Sequence, residues 1–454
     1  MFRGSFDRAA AQAVAGVAVT TLSTLMDKSL LQRQGVGRYR IHELVRQFSA
    51  ERSTSGTTEE SIDDRHAAHF LSFAEQAEQE LIGARQAVWL ESLRRDLDNL
   101  RAALTWFLRQ GEIERALRLA AALRMFWYHW GYWTEGQHWL EEGLARADGA
   151  APEIRATALH ALGMLVEQQS QTERAMRLLD QSLALFRELG DSLGSLRVLN
   201  TLGGVASRQG HYHESAAYYQ QALDFCRQLG DRERGAVVLH NLAKATRFQG
   251  RFGLARERYE EALALHRELG HAEGAAVTLL DLGSLSLDED RFVEAESRLE
   301  ESLGASRELG LQPWIAYACW QLGRLHRKQE QLDRARTYLV ESMTLARSLG
   351  DAFLGLNLLG EIANLAVATC DTEWAVTLRS AEMALQVQLG ILLPPMYRVE
   401  DEETMAQARA VLNEETFAGA WKRGQGMSLE EAGARALDQK AHPQPSGALD
   451  LARE

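Results

Sequence analysis

The sequence predicts an all-α fold: a right-handed α-solenoid of helical hairpins behind a small N-terminal module of helix, wing and helix. Three observations predict it. A Leu-Gly pair closes a polar, helix-like run at Leu189-Gly190, Leu229-Gly230, Leu269-Gly270, Leu309-Gly310, Leu349-Gly350 and Leu389-Gly390, with 40 residues between successive pairs. A second punctuation mark falls 20 residues after each of the first five glycines, at Gly210, Gly250, Asp290, Glu330 and Cys370. Small residues recur in the same register, at Gly203, Ala243, Gly283 and Gly323, at Ser215, Ala255, Ala295 and Ala335, and at Ala222, Ala262, Ser302 and Ser342. Two helices and two turns per period make one hairpin, and hairpins that cannot bury their apolar stripes alone must stack.

Composition sets the outer bounds. The 454 residues, 46% of them hydrophobic and 25% charged, suffice for a large core in two or three structural units. Six prolines in long Ala/Leu/Glu/Arg-rich stretches fit helices. A net charge of −13 argues against general nucleic-acid binding, which needs a basic surface for phosphates. Cys226, Cys319 and Cys370 stand apart, without disulfide or metal spacing, and suit a reducing cytoplasm. No apolar run reaches the ~18 residues of a membrane span, and Met1-Phe2-Arg3 opens no signal peptide.

Residues 1–51 differ from the rest. Thr21 to Lys28 reads as a helix with Leu22 and Leu25 on one face. Ser29-Leu30-Leu31-Gln32 and Arg38-Tyr39-Arg40-Ile41 alternate like strands about the Gly35-Val36-Gly37 turn, and a helix follows through Glu43, Leu44, Val45 and Phe48. Residues 52–60 read as a polar linker and 61–110 as two lead-in helices. The array covers 111–391, about seven hairpins, the first from Glu112 to Arg146. That hairpin holds Phe126, Trp127, Tyr128, Trp130, Tyr132, Trp133 and Trp139, either a ligand cage or packing between unlike repeats. Leu393-Pro394-Pro395 ends the array. Residues 392–440 read as capping helices with Phe417 and Trp421 packing back, and 441–454 as a disordered tail.

The order Leu-Gly, then Ala, aromatic, Ala within each period resembles the tetratricopeptide repeat, at 40 residues instead of about 34. A wider resemblance rests on FRGSF, LMDKSLL, GRYRIHELVRQFSAER, RHAAHFLSFAEQAE, DLDNLRAALTWFL, ALRLAAALRMFWYHWGYWTEGQHWLEEGLA and the tail ARAVLNEETFAGAWKRGQGMSLEEAGARAL. These phrases are similar to the region after the ATPase in large bacterial signal-transduction NTPases. Those proteins combine an NB-ARC-like ATPase, a winged helix, a tetratricopeptide array and often a LuxR-type DNA-binding domain, as the MalT-like regulators do. The resemblance implies a winged-helix remnant at 1–51, lacking its first helix, with Met1 opening a truncated or split gene product. It also implies a sensor array that restrains an ATPase encoded nearby. No Gly-x-x-x-x-Gly-Lys-Ser/Thr loop is present to cradle a triphosphate. A free-standing adaptor or peptide receptor, and the subunit of a split NTPase, are the alternatives.

No catalytic constellation emerges, and neither a cofactor nor a metal is expected. Gly190-Asp191-Ser192-Leu193-Gly194 matches Gly-x-Ser-x-Gly, but a nucleophile elbow needs a strand before the serine, and here a helix precedes. His42-Glu43 lacks the second histidine of a zinc-protease helix. His211-Tyr212-His213-Glu214 reads as a solvated turn in preference to a metal site.

The expected partner is a protein or peptide, held where the first helix of each hairpin faces inward. Counted from Gly203 and its equivalents, that face should carry Asn200, Arg208, His240, Lys244, Arg247, Trp320, Arg324, Arg327 and Lys328. It is basic with few acids, on an acidic protein. Such a face suits an acidic segment, unless the cations are paired with carboxylates on neighbouring helices. Direct nucleic-acid binding is not expected, although Arg33, Arg38 and Arg40 lend the N-terminal module some charge.

Overall fold

The computed structural model describes residues 2–52, 61–81, 85–169, 171–391 and 395–437. The linker expected at 52–60 lies outside them but for its first residue, and the tail at 441–454 and the Leu393-Pro394 break lie wholly outside. The chain falls into two compact units, residues 1–201 and 202–454.

The first unit begins with β1 (Phe6–Asp7), α1 (Arg8–Ala15), α2 (Val19–Asp27), β2 (Leu31–Arg33), β3 (Arg38–Ile41) and α3 (Glu43–Arg52). The three strands form an antiparallel sheet in the order β1-β3-β2, with Phe6 opposite Tyr39 and Leu31 opposite Ile41. The helix, two strands and helix read from the sequence are there. β1 and α1 are additions to that reading. Asp7 caps α1 by accepting from Ala10 N at 2.8 Å, and Gly16 ends it in the left-handed region.

Three helices lead in, not two: α4 (Ile62–Glu80), α5 (Gln86–Arg95) and α6 (Leu97–Gln110). The break between α5 and α6 is the single residue Asp96, at φ −101° and ψ 10°. The first hairpin is likewise three helices, α7 (Ile113–Ala122), α8 (Arg124–Trp130) and α9 (Trp133–Leu144), because Leu123 interrupts its first arm. Neither break has a glycine or proline to announce it. α10 (Pro152–Glu167) and α11 (Thr172–Glu188) follow, and the boundary between units falls inside α12 (Ser192–Arg208).

The second unit continues as α13 (Tyr212–Leu229), α14 (Arg232–Phe248), α15 (Phe252–Glu268), α16 (Ala272–Asp288), α17 (Phe292–Glu308), α18 (Gln312–Lys328), α19 (Leu332–Leu349), α20 (Ala352–Ala368) and α21 (Thr372–Leu389). It closes with α22 (Pro395–Val411), α23 (Glu414–Gln425) and α24 (Leu429–Leu437). The described elements make an all-α repeat fold with seven hairpins in chain order, and the first unit also carries the small three-stranded sheet.

Each periodic residue has a physical task. A Cβ on Gly203 would stand 2.7 Å from the Tyr219 ring, one on Gly283 2.7 Å from Leu299, and one on Gly323 2.6 Å from Leu339. At these three positions the absent Cβ lets the second helix of the hairpin come so close, and the equivalent Ala243 is the one small exception. Ser302 and Ser342 donate from Oγ to Ala276 O and Ala316 O, each at 2.7 Å, and Ser215 donates to Gly203 O at 2.8 Å. These buried bonds tie paired helices together. Both punctuation marks are left-handed residues that stop a helix, from Gly190 at φ 68° to Gly390 at φ 64°.

Candidate functional site

The aromatic-rich hairpin of the first unit is mainly core. Phe126 and Trp127 are fully buried, with Tyr132 stacked on Phe126 at 5.8 Å and Gly136 beneath the Trp127 indole. Tyr128 and Trp130 are the exposed members. In the same unit the N-terminal module is pinned to the lead-in helices. Arg38 makes a two-pronged ion pair with Asp96, at 2.6 and 2.9 Å, and Asn99 donates to Ser5 O at 2.9 Å. Arg38 is thereby committed inside the unit.

Motifs that mimic enzymes resolve into turns. Gly190 is the left-handed helix end, and Asp191 accepts from Gly194 N at 2.9 Å to cap α12, so the Gly-x-Ser-x-Gly match is an N-cap. Asp231, Asp351 and Asp371 cap α14, α20 and α21 in the same way. His211 faces Glu214 at 3.8 Å as an exposed pair. Among the described residues no cluster of three or more His, Cys, Asp or Glu is placed to hold a metal.

The inward-facing residues read from the sequence differ in depth. Arg208 and Lys244 are exposed, Asn200, Arg327 and Lys328 are half-buried, and His240, Arg247, Trp320 and Arg324 are buried. Asn200 belongs to the first unit and the others to the second. Within the second unit the face thus closes over from α14 to α18. The expectation of few acids fails there, because carboxylates from neighbouring helices fill it.

Arg247, 2% exposed, pairs with Asp288 at 2.6 Å and faces Asp281 at 3.9 Å. His240 Nε2 meets Asp281 at 3.1 Å and its Nδ1 meets Thr278 Oγ1 at 3.1 Å. Burial alone would raise the Asp281 carboxyl, but Lys244, His240 and Arg247 hold it well below the ordinary carboxylate range. Arg324 reaches the other oxygen of Asp288 at 3.1 Å, Arg327 pairs with Glu361 on α20, and Lys328 with Asp290 at 3.3 Å.

The remaining partner comes from α22. Glu400 lies 3.2 Å from Arg324 Nη2, 2.7 Å from Arg327 Nη2 and 3.2 Å from Lys328 Nζ. Arg324 and Lys328, like charges one helical turn apart, are bridged by this carboxylate. Burial pushes Glu400 up, and the three cations overcome it and hold the group at about 2. The next residue, Asp401, meets the buried Arg379 of α21 at 2.7 Å, and Arg379 also pairs with Glu382. Asn364 Oδ1 accepts from Arg379 at 2.9 Å and from Thr404 Oγ1 at 2.7 Å, fastening the next turn of α22. A cavity of about 20 Å³, room for one water, remains among Trp320, Arg324, Arg379 and Glu400.

Sequence reasoning missed Asp281, Glu361, Arg379, Glu382, Glu400 and Asp401. Asp281 and Glu361 sit two residues before the small reference residue, a position not counted as inward. The run Glu400-Asp401-Glu402-Glu403 was the available signal for an acidic element facing a basic one.

Tetratricopeptide repeat family models match residues 154–228, 234–308 and 316–349. The hairpins within residues 154–349 are therefore tetratricopeptide-type repeats. The chain is 30% identical over 216 residues to a protein of Mycobacterium bovis named as an HTH-type transcriptional regulator, and equally to a counterpart in Mycobacterium tuberculosis. The alignment covers 44% of this chain and 24% of each relative, so the chain spans about a quarter of their length. Among solved structures, a signal transduction ATPase with a tetratricopeptide sensor from Pyrococcus horikoshii superposes with a TM-score of 0.43 at 15% identity. The superposition covers 79% of this chain and 60% of that one. Aspartyl phosphate phosphatase F of Bacillus subtilis gives 0.48 at 12% identity, over 83% and 98%.

Proposed function

We propose that the chain is a non-enzymatic protein-binding scaffold, the sensor or regulatory part of a bacterial signal-transduction ATPase or transcriptional regulator. The observation that carries this is the inner face of the second unit. There the repeat register sets Lys244 and Arg247 on α14, and Arg324, Arg327 and Lys328 on α18, first helices two repeats apart, in a chain that is acidic overall. The mycobacterial relatives carry the name of transcriptional regulators, which fits a regulatory setting for the array. The N-terminal module, with Arg38 tied to Asp96, suits an internal lever between domains better than a reader of DNA phosphates. It is a winged-helix remnant on this reading, and α22 to α24 are the caps of the array.

The test pairs two measurements. A photo-crosslinking residue at Arg208 or Lys244, both exposed on the inner face, is expected to capture a defined protein partner in cells. Calorimetry of the purified chain with ATP and magnesium is expected to show no binding, since no segment supplies consecutive glycine amides and a lysine to the phosphates. Micromolar nucleotide affinity with hydrolysis, and no captured protein, would overturn the proposal in favour of an NTPase subunit.

A further inference from the structure

The four cations Arg324, Arg327, Lys328 and Arg379 share one arrangement. Each is bound by a carboxylate of the repeat array (Asp288, Glu361, Asp290 and Glu382) and by a second carboxylate from α22, either Glu400 or Asp401. The array gives every member of the patch one carboxylate, Asp288 being shared with Arg247, and α22 adds the outer layer.

Over residues 400–404 that layer is held through polar groups, and one turn on Met405 and Ala408 pack with Val376 and Ala420. From residue 400 onward, the buried residues of α22 are Thr404 and Ala408, small side chains that contribute little apolar area. Glu400, Asp401, Thr404 and Ala408 form one face of the helix, and Glu402 and Glu403 point to solvent. A helix fastened by charge pairs loses little when an equivalent set of carboxylates replaces its own, because the cations are never left bare. A helix fastened by large apolar side chains would leave a wet hydrophobic scar.

We propose that α22 is an internal ligand of this patch, and that the partner of the inner face is an acidic helical segment of another protein whose two adjacent carboxylates displace it. The inference rests on the scaffold reading above and names its site and its competitor. The partner must present neighbouring carboxylates on one helical turn, one to bridge Arg324, Arg327 and Lys328 and the next to reach Arg379. Release of α22 then becomes the signal of binding.

The chain's own helix supplies the probe. A fluorescein-labelled peptide of residues 395–411 and a control with Gln and Asn in place of Glu400 and Asp401 are titrated against the full chain by anisotropy. The wild type is compared with the double variant Glu400→Gln/Asp401→Asn. The variant is expected to bind the acidic peptide at least tenfold more tightly than the wild type, to ignore the control, and to lose affinity as salt rises. A second readout needs no variant. Excess acidic peptide added to the wild type should speed hydrogen exchange of the α22 amides while slowing that of α18. Equal affinities for wild type and variant, unchanged α22 exchange, or no binding at about 1 mM would each overturn the proposal. Dimers of the variant by light scattering without peptide uptake would also overturn it, showing that α22 exchanges between copies instead. A natural partner crosslinked elsewhere on the array would sink this inference and leave the scaffold function standing. Displacement by the peptide with no protein partner in cells would leave α22 as an exchangeable internal helix but overturn its release by a partner, together with the scaffold function.

Discussion

Arg247 of α14 and Arg324 of α18 close on opposite oxygens of one buried carboxylate, that of Asp288, at 2.6 and 3.1 Å. Three consecutive first helices are joined by this one group. Removing it leaves two guanidiniums, 2% and 4% exposed, competing for what remains. Asp288→Asn is therefore expected to destabilise the chain by about 3 kcal/mol, as measured from the urea midpoint. Glu301→Gln breaks the exposed Arg267–Glu301 pair and should shift stability by less than about 0.5 kcal/mol. Equal effects would mean that Asp288 is no keystone.

The second punctuation of the repeat offers a gain in stability. Gly210 and Gly250 take φ 77° and 74° without strain, yet Glu330 and Cys370 stand at equivalent positions with φ 59° and 64°. An L side chain in the left-handed region costs about 1–2 kcal/mol, and glycine's greater freedom when unfolded returns part of that. Glu330→Gly and Cys370→Gly should each raise stability by about 0.5–1 kcal/mol in thermal melts. A loss from either would show that the local carbonyl bonds, Glu330 N to Arg327 O and Cys370 N to Val367 O, depend on the native side chain.

These positions also show which parts of the fold the sequence made legible. A helix that ends in a left-handed residue and a pair of helices that nearly touch both demand particular residues, so turns and close contacts left a 40-residue trace. The breaks at Asp96 and Leu123 demand nothing of the kind, and the continuous apolar pattern of 61–144 hid them. The site was half legible. Its cations follow the repeat register, but Glu400 and Asp401 lie on a helix beyond the last repeat, where no period says which element faces which. Arg379 and Glu382 sit on α21, the second helix of a hairpin and not one of the inward first helices, and Arg379 meets Asp401 of α22.

Two glycines separate propensity from packing. Gly304 lies inside α17, where an added Cβ would meet nothing within 4 Å, so Gly304→Ala should stabilise by about 0.8 kcal/mol. Gly424 lies inside α23 where that helix meets α21, and a Cβ there would stand 2.2 Å from Thr377 O and 2.9 Å from Ala381 N. Both atoms are backbone and cannot swing away. Gly424→Ala should lift α23 from α21, break the 2.7 Å bond from Ser380 Oγ to Trp421 O, and cost about 1–3 kcal/mol. Hydrogen exchange of α23 is the direct readout, and unchanged protection would show that the contact is loose.

His160 of α10 is buried, and its Nε2 lies 2.9 Å from Thr201 Oγ1, whose own hydrogen goes to Arg197 O at 3.1 Å. Thr201 must then accept, so His160 is the neutral tautomer with its proton on Nε2. Burial first, then the charges of Arg124 and Arg197, depress its pKa to about 3. The unfolded chain binds this proton near pH 6.5 and the folded chain does not. The contribution to stability is complete above about 6.5 and drains away as pH falls, by about 1.4 kcal/mol per unit. Glu382, which burial raises to about 7 against the pull of Arg379, works the opposite way between about 4.5 and 7. The two must be separated by comparing variants. The stability of His160→Gln minus that of the wild type should rise as pH falls, by about 1 kcal/mol from about pH 6.5 to 5.5 and about 1.4 kcal/mol from about 5.5 to 4.5. A constant difference would mean that His160 is protonated in the fold, and the donor assignment at Thr201 would have to be reversed.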